Sequence, residues 1–165
     1  MPTSNGCAAA ASSEAKPKGR GNSVEVSHVR KRLTAAIDRA RRDTQQRRER
    51  TAEAQRAYEV FLTDIAVPIA RMLVSALKAD NYAFTIATPG GGVRLTSDRA
   101  RDDYIDIALD STSNPPQVVG HINYARGSRT VSEERPVKPG ALPSEISEEE
   151  YLEFLIGALE PWIAR

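Results

Sequence analysis

Apolar or small residues recur every three or four positions through the first half of the chain. The series runs Val26, Val29, Leu33, Ile37, Ala40, Thr44, Arg47, Thr51, Ala54, Tyr58, Phe61, Ile65. That is the period of one α-helical face, and neither glycine nor proline interrupts it between Gly21 and Pro68. Asn22 followed by Glu25 has the spacing of a capping box and sets the expected start. At 1.5 Å per residue the helix would reach ~65 Å. Pro68 lacks a backbone donor and predicts a kink near Val67. Beyond it Ile69, Met72, Leu73, Ala76 and Leu77 keep the rhythm as far as Asp80–Asn81, where asparagine suits a helix end. A hairpin turning near Thr44–Gln46 is the alternative, although no Gly, Pro or Asn stands there.

The period then falls to two. Tyr82–Thr88 reads as a strand with Tyr82, Phe84 and Ile86 on one face, and Pro89-Gly90-Gly91-Gly92 as a turn. Val93–Ser97, Tyr104–Asp110 and Gln117–Ala125 follow, with Val93, Leu95, Ile105, Ile107 and Leu109 pointing inward. Strict alternation favours an antiparallel sheet with one buried face. A loop containing Pro136, Pro139, Gly140 and Pro143 leads to a last helix opened by the capping box Ser147-Glu148-Glu149-Glu150. Its apolar residues cover roughly 200° of the helical wheel, wider than the ~100° of an ordinary surface helix. This width predicts a deeply buried helix, or one touching two surfaces, with Trp162 as an anchor.

The expected fold class is α+β: a long N-terminal helix, an antiparallel sheet of about four strands and a C-terminal amphipathic helix. Residues 1–21 are small, polar and punctuated by Gly and Pro, and predict a disordered tail. Residues 22–165 form the expected single domain, with the kinked helix at 22–80, the sheet at 82–125 and the last helix at 147–164.

Composition changes this picture little. The chain has 165 residues, 40% apolar and 27% charged, with a net charge of +1, which is ordinary for a globular protein and excludes a bulk polyelectrolyte. The charge is unevenly placed. Arginines from Arg30 to Arg56 make the long helix basic, while Glu133, Glu134 and Glu145–Glu160 make the other end acidic. The single cysteine, Cys7, has no disulfide partner. No apolar run approaches transmembrane length, so no membrane partner is expected and a cytoplasmic location is the default.

Each candidate for chemistry has a plainer explanation. The glycines of Pro89–Gly92 enter a strand rather than a helix, unlike a phosphate-binding loop. Asp106 and Asp110 lie ~13 Å apart along one strand, too far to share a metal or a proton. His121 faces away from the core, where Asp106 of a neighbouring strand would stand opposite it as a cross-strand pair or a weak metal site. No residue is therefore assigned a catalytic, cofactor or metal role, no cofactor is expected and no small-molecule substrate is evident. The first functional reading is a non-enzymatic protein that assembles through its long helix, as a homodimer or with another protein, using Val26, Val29, Leu33 and Ile37. The second is sequence-independent nucleic-acid binding by the arginine face, with Arg41, Arg42, Arg47 and Arg48 as contacts. Aromatic platforms and a recognised DNA-reading motif are both missing from it.

Overall fold

A computed structural model describes residues 25–164. The expected tail, Cys7 and the Asn22 cap lie outside the described residues. The chain divides into two units, residues 1–40 and 41–165.

Helix α1 spans Val26–Phe61 and is unbroken through Thr44–Gln46, so the hairpin alternative is not adopted. Glu25 closes its start by accepting the His28 and Val29 amides at 2.9 and 3.1 Å. A π-helical turn, Leu62–Ala66, joins α1 to α2, Val67–Ala79. The Val67 amide bonds the Leu62 carbonyl, five residues back. This wider turn accommodates Pro68, which has no amide to offer. It also places one extra residue in the turn, and the buried face beyond it rotates. Ala66, Ile69, Ala70 and Leu77 are buried, with Leu73 and Val74 packed beside them. Met72, expected on that face, is instead 64% exposed. The helix ends as its sequence suggested. Asn81 takes φ 64°, its amide reaches Lys78 O at 3.2 Å, and the Tyr82 amide reaches Leu77 O at 2.8 Å. These are the paired bonds of a Schellman ending.

The sheet is an antiparallel meander in the order β1-β2-β3-β4-β5: Phe84–Ala87, Val93–Ser97, Tyr104–Asp110, Gln117–Arg126 and Arg129–Pro136. The fifth strand occupies residues where a loop was expected. It is an edge strand with a single large apolar residue, Val131, so it carries no apolar alternation, and its charges suit an edge that must not pair further. Gly127 (φ 65°) and Ser128 make the two-residue connection between Arg126 and Arg129, with the positive φ that a type II′ hairpin needs at its first central position. In the Pro89–Gly92 turn, Gly90 and Gly91 have φ of 55° and 86°. A Cβ on Gly92 would stand 2.7 Å from the Ile107 carbonyl oxygen of β3, so close approach of the two backbones demands glycine there.

One face of the sheet is the core. Phe84, Val93, Leu95, Ile105, Ile107, Val118 and Ile122 are buried beneath Tyr58 and Phe61 of α1, Ile69, Ala70 and Leu77 of α2, and Tyr151, Leu155, Leu159 and Trp162 of α3 (Glu148–Ile163). Phe61 stacks with Tyr58 at 6.1 Å and meets the Tyr151 ring edge-on at 5.3 Å. Gly120 leaves room for Phe154, whose ring a Cβ at that position would overlap. The capping box of α3 is made: Glu150 N–H donates to Ser147 Oγ at 3.2 Å, and Ser147 N–H donates to Glu150 Oε2 at 3.0 Å. The width of the α3 apolar face is explained by division. Tyr151, Leu155, Ala158, Leu159 and Trp162 are buried, while Leu152, Ile156 and Ile163 are exposed.

Trp162 is the anchor its sequence position suggested. It packs edge-on against Phe84 and Tyr124, and its indole N–H donates to Asp103 Oδ2 at 3.0 Å. The other carboxylate oxygen of the buried Asp103 accepts the Ala125 amide at 2.8 Å. One aspartate thus ties the end of α3 to β4, a coupling that sequence separation concealed.

Candidate functional site

Within the first unit, the described part of α1 exposes its whole apolar stripe. Val26 is 82%, Val29 49%, Leu33 58% and Ile37 42% exposed. The successive spacings of three, four and four residues hold them on one helical face. A shallow concavity follows the same face, lined by His28, Val29, Arg32, Leu33, Ala36 and Arg39. The four residues expected to form an interface therefore share one exposed face of the helix.

The basic residues of α1 are also exposed. Among the described residues α1 makes no ion pair, and Asp43 and Arg47, four residues apart on the helix, do not join. Holding two long exposed side chains together costs entropy that weak surface attraction barely offsets. The helix instead makes a local hydrogen bond in which Gln45 Nε2 donates to Glu49 Oε1 at 2.7 Å. Among the described residues Arg41, Arg42, Arg47 and Arg48 thus have no ion pair, and Arg47 lines a cavity. That cavity, about 340 Å³, lies between α1 and the β3–β4 loop.

The open face of the sheet carries a row of charge. Arg94, Asp106, His121 and Glu134 stand side by side on β2 to β5. Asp106 does lie opposite His121, as expected, but it is engaged elsewhere. Its carboxylate accepts Arg94 at 2.7 Å, while His121 Nδ1 approaches Glu134 Oε2 at 3.3 Å. The Arg94 guanidinium also sits 4.7 Å from the centre of the Tyr104 ring. Among the described residues no three His, Cys, Asp or Glu side chains are placed to hold a metal ion. Asp110 is separate from this row. Its Oδ1 accepts the Thr112 hydroxyl at 2.6 Å and the Thr112 amide at 2.8 Å. These bonds hold its carboxyl below the usual range, the hydroxyl contributing most.

Two phenols in the core are pushed above the ordinary tyrosine range. Burial is the main cause for both; Asp106 adds to it at Tyr58, and Tyr58 adds to it at Tyr151. Tyr58 Oη–H donates to the Ile107 carbonyl at 3.1 Å. The Tyr151 hydroxyl is buried and has no hydrogen-bond partner among the described residues.

The helical run Val26–Ala79 contains an eighteen-residue window of mean hydropathy 1.8. Length and composition alone would let that window cross a bilayer, a test that a buried core helix also passes, and Phe61, Ala66, Ile69, Ala70 and Leu77 of this run lie in the core. No family model, curated protein or solved structure matches the chain.

Proposed function

We propose that this is a non-enzymatic interaction protein that associates with a second copy of itself through the Val26–Ile37 stripe of α1. The observation that carries the reading is the exposure of four apolar side chains at helical contact spacing. Burying each large one against a partner is worth ~1.5–3 kcal/mol. A single patch that contacts its own copy about a two-fold axis is the commonest oligomeric arrangement, and two identical stripes satisfy it.

The flanking charges shape how such a pair would behave. Arg30, Lys31, Arg32 and Arg39 outnumber Asp38 and Glu25 beside the stripe, so two copies repel electrostatically while their apolar faces attract. Salt screens exposed charges within ~10 Å at 0.1 M. Self-association should therefore tighten as salt is raised, whereas docking onto an acidic partner should weaken.

Light scattering at tens of micromolar, in low and high salt, tests the reading. The expected mass is twice that of the chain, falling to one chain when Leu33→Asp and Ile37→Asp are combined. A monomer at every salt concentration would refute it. The exposed arginines of α1, which make no ion pair among the described residues, support a second reading, sequence-independent nucleic-acid binding. Such binding would show the steep salt dependence of phosphate contacts and disappear when Arg41, Arg42, Arg47 and Arg48 are changed to Gln.

A further inference from the structure

The cavity between α1 and the β3–β4 loop has a composition that the assembly reading leaves unused. Asp43, Gln46, Arg47, Arg50 and Thr51 form one wall, and the 111–116 loop forms the other. The placement follows from packing. Tyr58 is fixed over Ile107 of β3 by its hydroxyl, and Ala54 is buried one turn earlier. Seven to eleven residues before Tyr58, α1 is ~10–16 Å away along its axis. The 111–116 loop begins four residues beyond Ile107, ~13 Å along the strand. Helix and loop therefore meet.

The loop is held in shape. Asp110 binds both the amide and the hydroxyl of Thr112; Ser113 Oγ lies 2.9 Å from Pro115 O and 3.1 Å from Asp110 O; and Pro116 is buried. Those bonds engage the hydroxyls of Thr112 and Ser113. Among the described residues Arg47 and Arg50 have no ion pair, and Gln46, Thr51, Ser111 and Asn114 make no side-chain hydrogen bond.

We infer that this cavity binds a small phosphorylated polyol, a sugar phosphate in chemical class, with its phosphate on Arg47 and Arg50 and its hydroxyls on Asp43 and Asn114. Arg47 and Arg50 are one helical turn apart, so both reach the same space, and guanidinium groups match phosphate oxygens in paired hydrogen bonds. Two guanidiniums with amide and hydroxyl donors exceed the roughly four acceptor sites of a carboxylate. The three terminal oxygens of a phosphate monoester can take them. Asp43 only accepts hydrogen bonds when ionised, and it would repel a bare phosphate. It is explained by hydroxyl groups on the same ligand. The volume lies at the lower end of the range for small-molecule sites, and the polar walls call for a ligand that hydrogen-bonds along its length.

The test is calorimetric titration of the full chain with ribose 5-phosphate, ribose, inorganic phosphate and a single-stranded oligonucleotide. Saturable binding of ribose 5-phosphate, tighter than either ribose or inorganic phosphate, is expected. Arg47→Gln and Arg50→Gln should each weaken it at least tenfold. Asp43→Asn should weaken ribose 5-phosphate while leaving inorganic phosphate unchanged or tighter, a pattern that general charge attraction would not give. Because all three side chains are exposed, unchanged thermal melting should accompany each loss. Absence of binding at millimolar ribose 5-phosphate would overturn the inference. So would binding of the oligonucleotide alone, or equal affinity in the variants. The dimer mass does not enter the readout, so failure of the assembly reading remains separate.

Discussion

Val26, Val29, Leu33 and Ile37 are between 42 and 82% exposed, whereas Tyr58 and Phe61, on the same helix and the same seam, are each 2% exposed. The side chains of the two stretches are comparably apolar and recur at the same spacing. The later stretch meets a sheet face built from Val93, Leu95, Ile105 and Ile107; the earlier one stays exposed. Periodicity thus states that a helix has an apolar side, and says nothing about what lies against it. Buried, the seam supports the fold. Exposed, it is available for association, and substitutions in the two stretches should separate these roles.

The largest effect should come from the buried side. Trp162→Ala removes the ring between Phe84 and Tyr124 and deprives Asp103 Oδ2 of its donor. A loss of ~3–5 kcal/mol is expected from the cavity alone, read as a lower urea midpoint. The unaltered chain should show blue-shifted tryptophan emission. Emission like that of free tryptophan in water would contradict the burial of Trp162 and break the comparison at its root.

Gly120→Ala comes next, because the new methyl group would overlap the Phe154 ring. Overpacking of this kind costs ~1–3 kcal/mol. Combining it with Phe154→Ala should recover part of that loss, and the recovery in a double-mutant cycle measures the contact. Additive losses would mean that Phe154 does not occupy the space above Gly120.

Much of this fold is legible in the sequence. The helix and strand periods, the Asn81 ending and the Ser147 cap each rest on local chemistry, and local chemistry is written in neighbouring residues. What was missed depends on distant ones. The π turn at Leu62–Ala66 rotated the α2 face and exposed Met72 because the helix had to absorb Pro68 without an amide. Strand β5 carries no period-two signature because an edge strand needs little apolar alternation, although the Gly127-Ser128 pair is itself a hairpin signal. The Asp103–Trp162 bond joins residues 59 apart. The 340 Å³ cavity required α1 and the 111–116 loop to be brought together, and Arg47 and Arg50 of the arginine face were the hint of it.

A smaller effect separates two tyrosines in the same core. Tyr58→Phe removes the bond to Ile107 O and should cost ~0.5–1.5 kcal/mol. Tyr151→Phe removes a hydroxyl that has no hydrogen-bond partner among the described residues and should be neutral or stabilising. The pH dependence has a defined sign. Both phenols are held above their ordinary range, so the unfolded chain ionises first as pH passes ~10. Their contribution is complete below that pH and declines as pH rises above it. Chemical denaturation between pH 8 and 11 should show the decline, reduced when both residues are Phe. Unchanged alkaline sensitivity in that double variant would assign the effect to other groups.

The smallest effect on fold stability should come from Leu33→Ala, and it sharpens the comparison most. Leu33 is 58% exposed, and substitutions on such surfaces usually change stability by less than ~0.5 kcal/mol. The sheet and its covering helices, which belong to residues 41–165, should unfold at the unaltered midpoint in dilute solution. If a second copy covers the stripe, melting of the unaltered chain should rise with protein concentration, because association stabilises the folded state by mass action. In Leu33→Ala that rise should shrink, and in the Leu33→Asp, Ile37→Asp pair it should vanish. A melting temperature independent of concentration in the unaltered chain would leave the stripe without a self-partner. A midpoint lowered by Leu33→Ala even at the lowest concentration would show instead that Leu33 supports its own fold, and the contrast between the two stretches would disappear.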